Sequence, residues 1–413
     1  MSEPFFPPPF VNPDRPDDSP ILERLNIYDG LAIDAKRWKQ AHHYHRKRQN
    51  LIYQSLNQPG IAYGLGVRPI SAPEGISSEF SQIPWLEIQP GIAIDWEGNP
   101  IIVPQPETMP LDLPKLSQPI TIYLVISYRD PEQLNLGGDR EILRESFRLD
   151  LFSNPPQKGE LELCRFTWES GGNMIELRGA KDVFYPQANE LDLRYRMSVS
   201  SQPRMKVKVG ILTHRESFRQ NFIYFQKSAS TLYSELQISL EYFNNPNSLS
   251  PDLDLTSFDL FYCLGSEFKQ ITEENAMLLK SYLKMGGILW VDLENKGWGV
   301  EKQLVTLLDK PKSKFMSKGL KSWRELELDH PLHLQPFLFS LLPNSCKDLK
   351  YAEGILAIDG NLCDRWRLTK NLDVPRQDIR TAQEFGINIL HFAWQRRRLN
   401  QLSGASHQNV RDR

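Results

Sequence analysis

Cysteine is scarce in this chain of 413 residues, which holds four of them: Cys164, Cys263, Cys346 and Cys363. They are widely spaced and form no CxxC pair, which excludes a disulfide framework and a cysteine-based zinc site. The chain also lacks an apolar run of the roughly 20 residues that a membrane helix needs, and a basic-then-apolar signal at its N-terminus. We therefore expect a cytoplasmic protein with reduced thiols and no direct membrane insertion.

An excess of charge of one sign is missing as well. The chain carries 49 Lys and Arg against 51 Asp and Glu, a formal net charge of -2, whereas a nucleic-acid-binding domain is usually basic. The segment after the strand-like "MKVKVGIL" reads "THRESF" and matches neither GxGxxG nor GxxxxGK[ST]. We expect no cofactor, and no nucleic acid as a partner.

Proline, by contrast, is concentrated at the start, because seven of the 30 prolines lie within residues 1–20. Proline lacks the backbone N–H and has a fixed φ, so this stretch predicts an extended arm rather than a helix or an interior strand. Phe5, Phe6 and Phe10 are the residues that would anchor such an arm to a surface. The alternative is a disordered tail.

The pattern of apolar and turn residues predicts two domains of different class. Residues 21–34 predict a strand and a turn at Asp29-Gly30, and Asp34 predicts the N-cap of a helix that runs to about Leu56. From Gly64 to about Arg196, short alternating runs separated by Pro and Gly predict antiparallel β structure. The predicted division is an arm at 1–20, a helix-plus-β module at 21–197, a hinge at 198–204, an α/β domain at 205–402 and a polar tail at 403–413.

The second domain alternates between strand-like and helix-like segments. "MKVKVGIL", "FDLFYCLG", "ILWVD" and "ILAID" predict strands, whereas "ASTLYSELQISLEYF", "EENAMLLKSYLKMGG" and "RTAQEFGINILHFAWQRRRLNQL" predict helices. Alternating βαβ units imply a parallel sheet with helices on both faces. The predicted fold class is therefore an α+β module followed by an α/β domain.

The stretch "AHHYHRKRQN" (41–50) admits three interpretations. On a helix, Trp38, Ala41, Ile52 and Leu56 share one face, His42 and His45 flank it, and His43 lies on the opposite side. Two histidines three residues apart can contribute to a metal site, but no other ligand pattern accompanies them, so we expect partly buried, hydrogen-bonded histidines and no metal. The run of Arg46, Lys47 and Arg48 leaves a polyanion-binding adaptor as a further alternative.

The local charges favour pairing within the protein. Residues 35–73 hold seven basic residues and no acid, whereas residues 1–34 hold seven acids and two basic residues. This complementarity predicts ion pairs between the two segments, within one chain or between subunits, and it makes Arg46, Lys47 and Arg48 candidate interface residues.

Residues 21–197 resemble a module of phage-tail-like contractile injection systems. The resemblance rests on "YDGLAIDAKRWKQAHHYHRKRQNLIYQSLNQPGIAYGLGV" and "LEIQPGIAIDWEGNPIIV". The matching positions are Asp29, Gly30, Ala35, Trp38, Tyr44, His45, Gly64, Leu65, Val67, Pro90, Gly91, Ala93, Asp95 and Gly98. The chain departs from the pattern in the glycine-rich turn at "QPGIAYGLGV". The resemblance implies a baseplate-associated component and brings no catalytic residues with it.

Residues 205–402 resemble an uncharacterised bacterial domain related to class I glutamine amidotransferases and to the trehalose-utilisation family, which implies a flavodoxin-like sheet. "FDLFYCLGSEFKQITEENAMLLKSYLKMGGILWVD", "ELDHPLH" and "EFGINILHFAW" carry this resemblance. Active amidotransferases place a nucleophilic cysteine on an elbow after the strand that here reads "ILWVD". This chain has Asp292 or Leu293 there, so the resemblance implies that the nucleophile is absent.

Two alternatives for chemistry in the second domain remain open. Cys263 with His330 and Asp329 would need an exposed thiol next to a base, although a cysteine within a strand is normally a packing residue. Asp292, Glu294 and Asp329 can instead bind a cation or a hydroxylated ligand at the carboxyl ends of the strands. We expect a non-enzymatic structural subunit that self-associates in a symmetric assembly with other subunits of a contractile particle.

Overall fold

The structure is a computed structural model that describes residues 21–77, 80, 83–112, 118–130, 142, 144–169, 177–294, 299–308, 319–367 and 374–402. The described chain divides into two compact units, and the boundary between them lies between Gln202 and Pro203. This boundary falls inside the segment 198–204, where the sequence predicts a hinge. The predicted arm with Phe5, Phe6 and Phe10 and the predicted tail at 403–413 lie outside the described residues.

The first unit consists of one long helix followed by short strands. Their bounds are α1 Ala35–Leu56, β1 Asn57–Gln58, β2 Gly60–Gly64, β3 Val67–Ile70, β4 Trp85–Ile88, β5 Gly91–Ile94, β6 Pro100–Val103, β7 Glu107–Pro110, β8 Ile120–Arg129, β9 Ser146–Phe152, β10 Glu160–Trp168, β11 Arg178–Gly179, β12 Glu190–Leu191 and β13 Ser200–Ser201.

Helix α1 begins and ends where the sequence predicts. The side chain of Asp34 accepts a hydrogen bond of 2.8 Å from the backbone N–H of Arg37, which satisfies one of the free donors of the first turn. At the other end, the N–H of Asn57 donates to the carbonyl of Tyr53 in extended backbone, and the helix stops at Leu56. The predicted N-cap and C-terminus are confirmed.

The predicted antiparallel β structure is confirmed for the larger sheets and is wrong for one short pair. Nine strands form three three-stranded antiparallel sheets, in the orders β2-β5-β6, β3-β4-β7 and β10-β8-β9. Of the remaining four strands, β1 pairs with β13 antiparallel, whereas β11 pairs with β12 in parallel. Inward-facing residues of these sheets, such as Leu86, Ile88, Leu124, Leu163 and Phe166, are almost completely buried and form a single core. This unit therefore has a hydrophobic core of its own.

The strand predicted within residues 21–34 is wrong, although its turn is present. Residues 21–28 adopt no regular structure, and the N–H of Leu31 donates to the carbonyl of Tyr28 across the turn at Asp29-Gly30. A strand needs a neighbouring strand to satisfy its backbone, and Ile21 and Ile27 are instead 85% and 68% exposed. The apolar residues of this segment do not join the core of the first unit.

The second unit alternates strands and helices. Their bounds are β14 Met205–Leu212, α2 Glu216–Leu232, β15 Leu236–Phe243, β16 Leu260–Leu264, α3 Gly265–Phe268, α4 Glu273–Lys284, β17 Ile288–Asp292, α5 Glu301–Leu307, β18 Lys321–Ser322, α6 Pro331–Leu334, β19 Cys346–Ala352, β20 Ile355–Gly360 and α7 Arg376–Leu402.

These strands form one mixed sheet of seven in the order β15-β14-β16-β17-β20-β19-β18. The first five are parallel, as the alternation of strands and helices predicts. The expectation of a parallel sheet is wrong for β19 and β18, which are antiparallel. The reason is local: Glu353 and Gly354, both with positive φ, connect β19 to β20 as a two-residue hairpin turn, which can join only antiparallel strands.

Helices cover both faces of this sheet. Successive residues of a strand point to opposite faces, and Tyr262 belongs to the core on the side of α2 and α7, whereas its neighbour Cys263 belongs to the core on the side of α4 and α5. Among the described residues, none of the helices combines the length and the apolar character that crossing a bilayer requires.

One helix of the second unit was predicted in the wrong place. The sequence predicts a helix over 229–243, but α2 ends at Leu232 and residues 236–243 form strand β15, which pairs with β14 in parallel. "LQISLEYF" alternates apolar and polar residues with the period of two that a half-buried edge strand requires. All four predicted strands, now β14, β16, β17 and β20, and the predicted helices α4 and α7 are confirmed.

Candidate functional site

The carboxyl ends of β14, β16 and β17 bring a group of polar side chains together. Parallel neighbouring strands end at the same edge of a sheet, which is where open α/β sheets place their sites. Thr213 and Arg215 follow β14, Ser266 and Glu267 follow β16, and Glu294 follows β17. The sequence pattern predicts Glu294 and the neighbouring Asp292 as site residues, but not the side chains that follow β14 and β16.

Glu294 lies at the centre of this edge in a strained backbone conformation. Its φ is +53°, a left-handed value that a residue with a Cβ adopts at a cost of about 1–3 kcal/mol. Its carboxylate accepts hydrogen bonds from Arg215 Nη1 and from the hydroxyl of Ser266, and Arg215 Nη2 donates to the same hydroxyl at 3.0 Å. Burial alone would raise the pKa of Glu294, but the bonds from Ser266 and Arg215 hold that pKa below its usual value.

Asp292, the last residue of β17, is buried beneath Glu294. One oxygen of its carboxyl group accepts from the Glu294 N–H at 2.9 Å and the other from the Tyr262 hydroxyl at 3.0 Å. Burial outweighs these two bonds and raises the pKa of Asp292 to about 7. This carboxyl group therefore changes its charge near neutral pH.

Glu267 is held by the loop that follows β14. Its Oε1 accepts from the Thr213 hydroxyl at 2.9 Å and lies 3.3 Å from Nδ1 of His214, whose ring is mostly exposed. Its Oε2 is buried and has no hydrogen-bond partner within the described part of the chain. Burial raises the pKa of Glu267 above its ordinary value.

After β17, the residue with a left-handed backbone is Glu294. It lies one or two positions beyond Asp292 and Leu293, which the resemblance aligns with the nucleophilic cysteine of active amidotransferases. Its carboxylate already accepts from an arginine and a serine, so it is an anchor between loops rather than a free nucleophile. "THRES" and "GSEF", each directly after a buried parallel strand, are the sequence signals that could have identified Arg215, Ser266 and Glu267.

The structure does not bring Cys263 and His330 together. Cys263 is completely buried in the core on the α4 side of the sheet, and burial raises the pKa of its thiol well above the usual value. His330 packs against Tyr351 and Phe392, which belong to the core on the opposite face, and burial lowers the pKa of its ring to about 4. A thiol and a base on opposite faces of a sheet cannot form a catalytic pair.

Asp329 does not join the carboxyl edge either. It is exposed next to His330, before α6, whereas at the end of β17 the Asp292 carboxylate accepts from the backbone N–H of Glu294. In the described ranges, no group of three or more His, Cys, Asp or Glu side chains is arranged to hold a metal ion. The predicted trio of acids is therefore wrong as a single site.

The burial of the histidines of α1 is the reverse of the prediction. His42 and His45, predicted to be partly buried, are exposed; the ring of His42 contacts that of Trp38, and the ring of His45 contacts that of Tyr44. His43, predicted on the outer side, is half-buried. The expectation failed because α1 turns its polar face, rather than its apolar face, towards the strands of the first unit.

Three contacts on this polar face hold α1 against the β strands. Arg46 forms an ion pair of 2.9 Å with Asp130, the Asn50 amide donates to Asn99 at 2.7 Å, and the Gln54 amide donates to the carbonyl of Glu97 at 2.6 Å. Arg46 therefore has an acidic partner outside residues 1–34. The predicted ion pairs between the basic residues of 35–73 and the acids of 1–20 stay a prediction, because residues 1–20 lie outside the described residues. Lys47 and Arg48 are exposed.

A second face of α1 carries an apolar stripe, which we define as Trp38, Ile52 and Leu56. Their side chains are 58%, 49% and 61% exposed, and no residue of α1 is fully buried. The prediction that these residues share a helix face is confirmed, but that face does not belong to the core. Exposed apolar side chains that share one helix face are a candidate interaction surface, and here the exposed His42 and His45 lie between Trp38 and Ile52 on that face.

The motif positions of the first unit are architectural. Gly64 has a φ of +68°, and a Cβ there would lie 2.1 Å from the carbonyl oxygen of Pro90; a Cβ on Gly91 would lie 2.4 Å from that of Tyr63. Only glycines allow the paired strands β2 and β5 to approach so closely at this end. These two positions therefore set the spacing of the sheet and provide no chemical groups.

Asp95 organises the turn on which α1 lies. It is 5% exposed and accepts from the N–H groups of Glu97 and Asn99, each at 2.8 Å, and from the Asn99 amide at 2.9 Å. Gly98 in the same turn has a φ of +76°, and a Cβ there would lie 2.4 Å from the carbonyl of Asn50 in α1. The motif thus builds a junction between a helix and a hairpin.

A comparison with protein families places residues 226–394 in one match, to a family described as a domain of unknown function (DUF4159). The match begins inside α2 and ends inside α7, so it includes β15 to β20 but not β14 or the loop with Arg215. No curated protein matches the chain.

Proposed function

We propose that this protein is a non-enzymatic structural component of a phage-tail-like contractile injection system, located at the baseplate periphery or in a shell around the spike. It would be made in the cytoplasm and would self-associate there with other subunits of the particle. The resemblance of residues 21–197 to a module of such systems supports the setting. The observation that carries the assembly role is the apolar stripe on α1, which is exposed in the single chain.

The second unit supports a structural role through its topology and its polar edge. Numbered along the chain, the five parallel strands run in the order 2-1-3-4-5, the order of flavodoxin-like sheets. This order supports the proposed amidotransferase-like fold. At its carboxyl edge, the groups of Glu294, Arg215 and Ser266 satisfy one another, which favours a rigid scaffold over a catalytic centre.

We propose that the apolar stripe is covered by the N-terminal arm, residues 1–20, of a second copy of this chain. The arm brings three phenylalanines, and burying each contributes about 1.5–3 kcal/mol before the cost of ordering the arm. A helix of 22 residues is about 33 Å long, and an extended chain of 20 residues spans up to about 66 Å, so the arm can follow the whole of α1.

Charge favours the same pairing. Asp14, Asp17 and Asp18 make the end of the arm acidic, and the exposed Lys36, Lys39, Lys47 and Arg48 make α1 basic. Opposite charges across an interface guide the two surfaces together, although exposed pairs contribute only about 0.2–1 kcal/mol each. The phenylalanines would supply most of the affinity, so raised salt should weaken the contact only modestly.

The test compares two variants of the full chain by native mass spectrometry. The stripe variant carries Trp38→Ser, Ile52→Ser and Leu56→Ser, and the arm variant carries Phe5→Ser, Phe6→Ser and Phe10→Ser. We expect both to remain folded with unchanged circular dichroism and to lose self-association. The matched control replaces Leu328, Leu338 and Leu341, which are 88%, 80% and 74% exposed in the second unit, by serine and should still associate.

Mixing the two variants identifies the chain that provides the arm. The stripe variant keeps a good arm and the arm variant keeps a good stripe, so a mixture should form mixed species held by one intact contact. If mixing restores nothing although both variants are folded, the arm covers the stripe of its own chain and the exchange is wrong. If the stripe variant associates like the unmodified protein, the stripe is not the interface. If a nucleic acid purifies with the protein and no longer does so when Lys47 and Arg48 are replaced by alanine, the polyanion-binding adaptor is favoured instead.

A further inference from the structure

A polar cavity of about 330 Å³ lies at the carboxyl edge of the seven-stranded sheet, on the far side of β20 from Glu294. Three segments line it: residues 342–345 before β19, Asn361 and Arg365 after β20, and the first turns of α7 with Gln377, Asp378 and Thr381. Its volume is at the lower end of the range found for small-molecule sites. Neither the resemblance nor the family match assigns a role to it.

The walls of the cavity are fixed by the surrounding structure. The N–H of Asn361 donates to the carbonyl of Ser345 at 2.8 Å, and a Cβ on Gly360 would lie 2.3 Å from that same oxygen, so the two loops approach as closely as glycine allows. The Thr381 hydroxyl donates to the carbonyl of Gln377 at 2.7 Å. The cavity is therefore formed before any ligand arrives.

Arg365 is held at this cavity by its neighbours. It belongs to a short 3-10 helix, Cys363–Trp366, whose two end residues are each 1% exposed. The indole N–H of Trp366 donates to the carbonyl of Ala382 in α7 at 3.0 Å, which fixes this helix against α7. Since Cys363 and Trp366 point into the core, Arg365 points away from it, into the cavity wall.

The guanidinium of Arg365 is half-buried and, within the part of the chain that the structure describes, takes part in no ion pair or side-chain hydrogen bond. A guanidinium presents five donors in a planar fork that suits carboxylates and phosphates. The guanidinium, which lines the cavity, is left for a ligand to satisfy.

Asp378, the one acid of the lining, limits the kind of ligand. A carboxylate beside the cavity would repel an anion without donors, but it accepts well from hydroxyl groups. The remaining lining groups, the amides of Asn344, Asn361 and Gln377, can donate and accept. The lining therefore fits a molecule with one anionic group and several hydroxyls.

We propose that this cavity binds a small hydroxylated oxyanion, a phosphorylated or carboxylated polyol with few carbon atoms. Arg365 holds the anionic group, and Asp378 accepts from the hydroxyls. This site is independent of the assembly surface on α1, because it lies wholly within the second unit. It adds a ligand to a protein whose proposed role is structural.

Isothermal titration calorimetry on the full chain tests the site with glycerol 3-phosphate, glycerate and inorganic phosphate as probes. We expect glycerol 3-phosphate or glycerate to bind more tightly than inorganic phosphate, and glycerol, which lacks the anion, not to bind at the same concentration. Which of the first two binds more tightly identifies the anionic group as phosphate or carboxylate. Absence of binding by both at millimolar concentration overturns the proposal.

Two arginine variants separate the cavity from binding elsewhere on the surface. Arg365→Gln should weaken binding at least about tenfold, since it removes charge-assisted hydrogen bonds. The control Arg380→Gln changes an exposed arginine on α7 that pairs with Glu384 outside the lining, and it should bind within about twofold of the unmodified protein. Equal affinities of both variants overturn the proposal.

A folding defect must not imitate a loss of binding. Arg365 makes no side-chain bond to any residue in the described ranges, so Arg365→Gln should melt like the unmodified protein. Should it unfold, Thr381→Val serves as the second variant, because it removes a lining hydroxyl and keeps the volume. A folded Thr381→Val protein with unchanged affinity for each probe counts against the site.

Discussion

Replacing Asp292 by asparagine is expected to make the second unit more stable at alkaline pH. Asp292 is 4% exposed, and its carboxyl group receives hydrogen bonds from the Tyr262 hydroxyl and the Glu294 N–H. Burial raises its pKa from 3.8 to about 7. Asparagine has the shape of the protonated acid, keeps an acceptor for the N–H and can donate to the tyrosine oxygen.

The sign of the pH effect follows from proton binding. In the unfolded chain Asp292 ionises near its ordinary pKa, and in the folded chain it ionises near pH 7, so between these values the folded state binds more protons. The free energy of unfolding therefore contains a contribution that is complete at acid pH and is lost as pH rises through about 7. The shift of about 3 units corresponds to on the order of 4 kcal/mol as an upper bound.

Urea unfolding of both proteins at pH 5 and pH 8 measures this contribution. About two of the three units fall between pH 5 and pH 7, so Asp292→Asn should gain about 2–3 kcal/mol relative to the unmodified protein on going from pH 5 to pH 8. Asp259, whose pKa burial raises to about 6, adds a slope of the same sign that is common to both proteins and cancels. The exposed Asp329→Asn is the matched control.

An unchanged difference between Asp292→Asn and the unmodified protein at the two pH values would refute the reasoning. It would mean that the carboxyl group is ionised in the folded protein at pH 5. In that case the bonds from Tyr262 and Glu294 would outweigh burial, and Asp292 would belong with Glu294 as a fixed anion at the carboxyl edge.

The ends of α1 were predictable from sequence, but the orientation of the helix was not. A capping residue and a period of 3.6 are local properties, and Asp34 together with the spacing of Trp38, Ile52 and Leu56 specified them. What covers a helix face is decided elsewhere in the chain. Here Arg46 and Asn50 bind Asp130 and Asn99, which lie directly beside strands β8 and β6, and the apolar face remains exposed.

The two errors of secondary structure have a similar cause. Residues 21–28 carry strand-like apolar residues without a neighbouring strand, and a strand exists only in a pair. Residues 229–243 contain the end of one element and the whole of the next, and β15 is specified by its pairing with β14 as much as by its own alternation. Local patterns found the elements but missed the boundary that tertiary pairing decides.

The candidate sites show the same limit at longer range. The acids after β17 could be located because a parallel sheet gathers the ends of its strands at one edge. Arg215, which donates to Glu294, lies in a loop 79 positions earlier in the chain. The local sequence "THRES" does not indicate which acid this arginine binds. The cavity beside Arg365 depends on three segments that only the fold brings together.

Two substitutions test the packing on which these interpretations rest. Cys263→Ala should lower the free energy of unfolding by about 1 kcal/mol through lost packing alone, and an amidase or esterase activity that disappears in this variant would contradict the structural role. Gly64→Ala should cost about 3 kcal/mol or more in thermal unfolding, because it combines a left-handed φ of +68° with a Cβ placed 2.1 Å from the Pro90 carbonyl. Gly75→Ala separates the two causes, since Gly75 has a φ of +84° with no atom within 4 Å of the added Cβ and should show the backbone cost only. If the two glycine variants lose equal stability, the close approach of β2 to β5 is not what requires glycine at position 64. The reasoning would then be refuted, because the left-handed φ alone would account for the loss.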